Sequence, residues 1–257
     1  MGQRLENAER LYLSAIRDGN YVEAINNLSG DRYTQHSTPV RDGREGFIEF
    51  FEGFTERNPI RDIQIIRSFE DGQYVFLHVL QYLNHGEFQY VTADIFDTDD
   101  DALLIEHWDI IEEVRAATAG ERTQLDGPTE AEGTGDPDLT QTNKALVTKY
   151  VKDVLGTADY DRIIDFVAGD CAQHHPDVAD GADALAAWAK NASIRYVDVH
   201  LLIGSGSFVA VLAQMDRQGT QLAVIDLFRV EAERIVEQWS VVEEIAPEET
   251  WVNSGKF

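Results

Sequence analysis

The sequence predicts an α+β fold used twice: two tandem cone-shaped α+β barrels, each with three helices packed on a curved, mainly antiparallel sheet. Three observations lead there. In each half, segments of helical periodicity come first and long alternating segments follow, an order typical of α+β architecture. An ordered series of motifs recurs, with Gln35-His36, Val40 and Asp42-Gly43 reappearing as Gln173-His174, Val178 and Asp180-Gly181, each 138 residues further on. Between the halves runs RAATAGERTQLDGPTEAEGTGDPDLTQ, almost without large apolar side chains.

The elements follow in order. Leu5, Leu11, Tyr12, Ala15 and Ile16 fall on one helical face, and Asp18-Gly19-Asn20 stops that helix. A short helix is expected over 21–28. Gly43 begins a third, whose Phe47, Phe50, Phe51 and Phe54 are spaced as one apolar stripe, and Asn58-Pro59 ends it. Strands are expected near 61–69, 73–84, 87–97 and 103–114, separated by turns at Asp71-Gly72, Asn84-His85-Gly86 and 97–101. The second half repeats the layout, with helices near 141–156, 159–167 and 181–193 and strands near 195–203, 207–216, 220–230 and 234–245. Further correspondences support the duplication: Asp94-Ile95-Phe96 with Asp226-Leu227-Phe228, and Glu106-His107-Trp108-Asp109 with Glu237-Gln238-Trp239-Ser240. The expected domains are therefore 1–114 and 141–246, joined by a flexible linker over 115–140 and followed by a tail over 247–257. Such a linker reaches roughly 25–30 Å as a coil, enough for the halves to form an intramolecular pseudo-dimer. Trp251 and Phe257 in the tail are expected to dock on a domain.

Composition narrows the function. The chain has 257 residues, 47 acidic against 21 basic, and a formal net charge of −26. That balance repels phosphate backbones and anionic lipid surfaces. Only 5 of the basic residues are lysine, and low lysine with abundant acid resembles the proteins of salt-loving archaea, where concentrated salt screens self-repulsion. One cysteine, Cys171, excludes an intrachain disulfide and a cysteine-based metal site. His174-His175 fits no zinc spacing. Phosphate loops, nucleophile elbows and dinucleotide fingerprints are missing. With no signal-like or membrane-spanning apolar run, a cytoplasmic protein without metal or cofactor is expected.

Strand alternation sets candidate chemistry. His107 and Asp109 share a face with Ile105 and Ile111, while Phe88, Tyr90, Thr92, Asp94 and Phe96 share a face of the preceding strand. If both faces line the cone, Asp94 approaches His107 in an apolar wall. A carboxylate there has its pKa raised by desolvation, which suits acid–base work. Equally, Asp94 could pair structurally with Arg61 or Arg67, and His107 could be a core histidine.

Tyr33-x-Gln35-His36, Asp42-Gly43, Gly46-Phe47, Asp94-Ile95-Phe96 and Glu106-His107-Trp108-Asp109 together resemble the SnoaL-like polyketide cyclases, within the superfamily of nuclear transport factor and ketosteroid isomerase. The resemblance covers nearly all of 5–114 and, more weakly, 141–245. It implies a cone-shaped α+β barrel and cofactor-free acid–base chemistry, as a cyclase, isomerase or lyase, on a small hydrophobic carbonyl compound. It places Asp94, His107, Asp109 and His36 at the site, with Tyr33, Tyr90 and Phe51 in the pocket, and leaves open which carboxylate takes the proton. The second half keeps His174 and Asp226 but has Gln238 and Ser240 for His107 and Asp109, and Cys171 for Tyr33. It reads as a degenerate copy. The alternative is a non-catalytic small-molecule binding or scaffold protein. Epoxide hydrolysis, also found in this superfamily, wants an Asp–Arg–Asp arrangement that the sequence does not offer.

Overall fold

A computed structural model describes residues 2–257 and divides the chain into two compact units. One comprises the chain up to Glu113 together with Ala246–Phe257; the other is Val114–Ile245.

In the first unit, α1 (Gln3–Tyr12) runs into a π-helical turn, Leu13–Arg17, and is followed by α2 (Tyr21–Leu28), β1 (Ser29–Gln35) and α3 (Gly43–Arg57). Four strands complete it: β2 (Arg61–Asp71), β3 (Tyr74–Leu83), β4 (Phe88–Thr98) and β5 (Leu104–Glu113). The sheet order is β1-β5-β4-β3-β2, with β1 parallel to β5 and the other pairs antiparallel. The helices form because their apolar residues repeat at helical spacing. Leu5, Ala8, Leu11, Tyr12, Ala15 and Ile16 are buried together with Ile25 and Leu28 of α2 and Phe47 and Phe51 of α3. They pack against the alternate residues Val75, Leu77 and Val79 of β3 and Phe96 of β4. Gly72, at a φ of +62°, makes the tight β2–β3 turn that the Asp-Gly pair predicts.

The second unit repeats this plan. It contains α4 (Pro137–Tyr150), a π-helical turn at Val151–Leu155, α5 (Ile163–Phe166), β6 (Val167–Gln173), α6 (Ala182–Ala192), and then β7 (Ile194–Ser205), β8 (Phe208–Arg217), β9 (Thr220–Glu231) and β10 (Arg234–Glu244). Its sheet order, β6-β10-β9-β8-β7, is that of the first unit element for element.

Four expectations are corrected. Both sheets are open and mixed, with β1 and β2, or β6 and β7, at their edges, so neither closes into a barrel. The strands β1 and β6 were not foreseen: Ser29-Gly30-Asp31-Arg32 has no apolar alternation, and the register to β5 shifts between Ser29 and Thr34. The helix expected from 141 begins at Pro137, because the Asp136 side chain accepts from the N–H groups of Asp138 and Leu139. The one expected over 159–167 is a 3₁₀ turn, Tyr160–Arg162, and the single turn of α5.

The stretch after Glu113 has neither helix nor strand until Pro137, yet it is not a flexible coil. Thr118 N–H donates to Pro176 O (2.8 Å), Glu132 N–H to Ser207 Oγ (2.9 Å) and Ser207 N–H to Glu132 O (2.8 Å). Composition identified a loop; only the fold provides partners for its backbone. The tail Ala246–Phe257 likewise follows β10 but belongs to the first unit.

Of the 47 acidic residues, only Asp94, Asp97, Asp109, Asp226 and Glu237 are buried among the described residues. The remaining carboxylates reach solvent and repel one another. Thermal melts are therefore expected to shift to lower temperature as salt is removed; a melting point unchanged between molar salt and dilute buffer would overturn that reading of the charge.

Candidate active site

The first unit encloses a cavity of about 90 Å³. Phe47, Phe50, Phe51 and Phe54 of α3 wall one side; Asp94 and Phe96 of β4 and His107, Asp109 and Ile111 of β5 wall another. Tyr33, a predicted pocket residue, also lines it. The α3 stripe that looks like core is thus core on Phe47 and Phe51, and cavity wall along its length.

Asp94 and Asp109 are direct cross-strand partners of β4 and β5. Like charges facing each other in this way are destabilising, and each carboxyl has its own solution. Asp94, 2% exposed, meets His107 Nε2 through Oδ1 at 3.0 Å and accepts from Thr92 Oγ1 through Oδ2 at 2.7 Å. The chain continues outward: Tyr12 OH lies 2.8 Å from Thr92 Oγ1 and accepts from Gln81 Nε2 at 2.8 Å. His107 Nδ1 stands 3.0 Å from Gln35 Oε1, which also accepts from Ser37 N–H. That oxygen can only accept, so Nδ1 carries a proton and Nε2 is left to exchange one with Asp94. Phe96 stacks on the imidazole at 4.3 Å. Burial pushes the Asp94 carboxyl above its usual range, opposed in part by the His107 hydrogen bond.

Asp109 has the opposite setting. Lys256 Nζ lies 3.2 Å from its Oδ1, and both side chains are buried. Although burial alone would raise it, the Lys256 ammonium, His107 and a hydrogen bond from Ser37 hold this carboxyl below the ordinary range. Two neighbouring carboxyls are thereby driven apart, one toward the acid and one toward the carboxylate. The Tyr33 hydroxyl, buried beside them, has no hydrogen-bond partner among the described residues. Burial, and then Asp109 and Asp94, keep its phenol protonated.

Two of the predicted site residues lie elsewhere. His36 is on the other face of β5: its Nε2 meets Glu106 Oε1 at 2.9 Å, its Nδ1 meets Gly255 O at 2.8 Å, and its ring stacks on Trp108 at 4.8 Å. Tyr90 packs at the edge of the core rather than on the cavity. Conversely, sequence reading missed Gln35, Ser37, Thr92 and Lys256. Thr92 was within reach of the strand pattern, being two residues from Asp94 on the same face. Nothing local pointed to Lys256.

The second unit keeps the frame and changes the side chains within it. His174 repeats the His36 arrangement, with Nε2 2.8 Å from Glu237 Oε1, Nδ1 2.8 Å from Thr123 O and the ring stacked on Trp239 at 4.7 Å. In both units the histidine of the Gln-His motif thus fastens a distant segment through its ring nitrogens and stacks on the tryptophan. Asp226 is surrounded by neutral donors, Tyr196, Ser240 and Gln238, and burial raises it. The cavity shrinks to about 20 Å³. No metal-holding cluster exists among the described residues. His175 instead accepts from Asp177 N–H at 3.1 Å and tilts against Trp188. Burial lowers it to about 4. Between pH 6.5 and 4 the unfolded chain takes up a proton that the folded chain refuses. Stability contributed by neutral His175 is therefore complete above pH 6.5 and falls by about 3 kcal/mol as the pH drops to 4. Urea melts of H175Q should lack this part of the acid sensitivity; identical slopes in the two proteins would refute it.

The second unit matches a known family. Residues 147–238 match the family model described as SnoaL-like domain. The second unit carries a SnoaL-like domain. The first unit shares the strand order and the duplicated motifs of the second. Similar solved structures include a candidate polyketide cyclase from Bacillus cereus ATCC 10987, 19% identical, covering 43% of this chain and 74% of that one, TM-score 0.39. A candidate ketosteroid isomerase from Kribbella flavida DSM 17836 is 16% identical over 42% of this chain and 82% of its own, TM-score 0.38. An LEH-like epoxide hydrolase of M. tuberculosis is 15% identical over 40% and 84%, TM-score 0.36. No curated protein matches the chain. No helix is long and apolar enough to cross a membrane among the described residues.

Proposed function

We propose that the first unit catalyses cofactor-free proton transfer at a carbon beside the carbonyl of a small apolar compound, the chemistry of an isomerase or cyclase. The observation that carries this reading is the pair of facing carboxyls, Asp94 with His107 and Asp109 with Lys256, in one aromatic cavity. A carboxylate takes the proton as the C–H bond breaks, and the electron pair moves onto the carbonyl oxygen. The unpaired Tyr33 hydroxyl is a donor for that oxygen. The proton returns to the same or a neighbouring carbon, so no cofactor is consumed. Phe47, Phe51 and Phe96 supply the apolar walls that select a hydrophobic ring.

The test uses 2-tetralone, an apolar ketone with acidic α-protons, in D₂O. NMR should show enzyme-dependent exchange of the α-protons above the buffer rate. Binding without any exchange would overturn the catalytic reading.

A further inference from the structure

We infer that the C-terminal segment completes this site: Lys256 is a positioning residue whose ammonium pairs with Asp109 and holds it as a carboxylate, leaving proton exchange to Asp94 and His107. The inference rests on the acid–base reading of the cavity and adds to it a residue that lies 147 positions from its partner in sequence.

The segment is built to deliver this side chain. Val252 N–H donates to Thr38 O at 3.1 Å, and Asn253 Nδ2 donates to Ser37 O at 2.7 Å and Val40 O at 2.9 Å. Gly255 N–H closes back on Asn253 Oδ1 at 2.9 Å, while Gly255 O receives His36 Nδ1. Gly255 sits at a φ of +106°, and a Cβ there would lie 2.5 Å from the Trp251 ring. The next residue is Lys256, 3% exposed. Burying an ammonium is costly unless it is paired, and only one lysine exists in the whole first unit.

The second unit serves as an internal control. There the segment after Glu113 makes the matching contacts, Thr118 N–H to Pro176 O and His174 Nδ1 to Thr123 O. It contains no lysine, and its arginines pair elsewhere, Arg115 with Asp177 and Arg122 with Asp180. The counterpart of Asp109 is Ser240. Docking by the segment is thus common to both units, whereas the ammonium occurs only where a carboxylate needs it. Had Lys256 served docking alone, the second copy would lack its fastening.

Groups facing Asp109 come from every side: Lys256 from the tail, Asp94 from β4, His107 from β5, Tyr33 from β1, Ser37 from the loop after it and, further off, Tyr12 from α1. Of these Lys256 is the one permanent positive charge, so its removal should be felt first at Asp109.

The full chain is tested with ¹³C-labelled aspartate, the Asp109 and Asp94 carboxyl signals being assigned with D109N and D94N. In K256M the Asp109 titration is expected to move up by about 1 to 3 pH units, and K256R, which keeps the charge, should bring it back. With 2-tetralone, kcat should fall about 10²-fold with KM little changed. An Asp109 titration unmoved in K256M would overturn the inference even if exchange activity is normal. Absence of exchange in the wild type would defeat the proposed reaction but leave the titration to decide the role of Lys256. If K256M does not fold, K256Q supplies the second handle: its Asp109 titration should move up in the same way while the Val252 and Gly255 amides, held by Thr38 and Asn253, keep their hydrogen-exchange protection, and an unmoved titration would overturn the inference.

Discussion

D94N is expected to slow 2-tetralone exchange by about 10²- to 10⁴-fold while leaving the fold intact, the range set by losing one positioned acid–base group. The geometry explains both halves of the expectation. Asp94 is the end of a chain of hydrogen bonds, Gln81 to Tyr12 to Thr92 to Asp94, and meets His107 on its other oxygen. An amide fills the same volume, so Leu77 and Phe96 on either side keep their packing. It cannot exchange a proton with His107 Nε2, and one of its two ends now presents N–H groups where the carboxyl had only acceptors and a single shared proton. Because the proposed role of Asp94 is at the reacting carbon rather than in the apolar walls, the loss should fall on kcat and not on KM. The check is the exchange rate of wild type and D94N over a range of ketone concentration, with circular dichroism to confirm the fold. A variant with full kcat would remove Asp94 from the mechanism.

W239A should cost about 3–5 kcal/mol, the range for truncating a buried tryptophan. Trp239 is 1% exposed, stacks on His174, meets Phe208 edge-on and donates from Nε1 to Asp126 O at 2.9 Å. Its loss removes three supports together: the plate beneath the imidazole, the packing on β8 and the anchor of the segment after Glu113. Against a typical total stability of about 5–15 kcal/mol, that is a large fraction. Urea unfolding followed by tyrosine and tryptophan fluorescence should show an earlier transition, and the amides of Thr118 and Thr123 should lose exchange protection. A midpoint close to wild type would show that His174 and Glu237 hold the segment without the indole.

The contrast between these two predictions shows where sequence reading reaches and where it stops. Asp94, His107 and Asp109 were legible because strand alternation assigns each side chain to a face, and two adjacent strands with the same inward set must bring them together. The Phe47–Phe54 stripe was legible for the same reason on a helix. His36 misled because its motif recurs in both halves beside the site residues, and recurrence does not distinguish a reacting group from a fastening one. Its partners, Glu106 and Trp108, are the residues of β5 that alternate away from the cavity, so their parity held the answer once β1 was known to pair with β5. That pairing was hidden, since β1 is short and polar in the middle.

The sequence by itself determined the duplicated α+β plan, the order of helices and antiparallel strands, and the places where Gln238 and Ser240 stand for His107 and Asp109. Those features follow from local periodicity and from comparing one half with the other, and neither requires knowing what lies far away in the chain. Only the tertiary structure sets Asp94 and Asp109 in different electrostatic surroundings. The two are direct partners on adjacent strands and both are buried, and what separates them is the Lys256 ammonium, which stands beside Asp109 and not beside Asp94. An electrostatic partner acts through a distance of a few ångströms and ignores sequence separation, so no pattern within reach of Asp109 could have announced it.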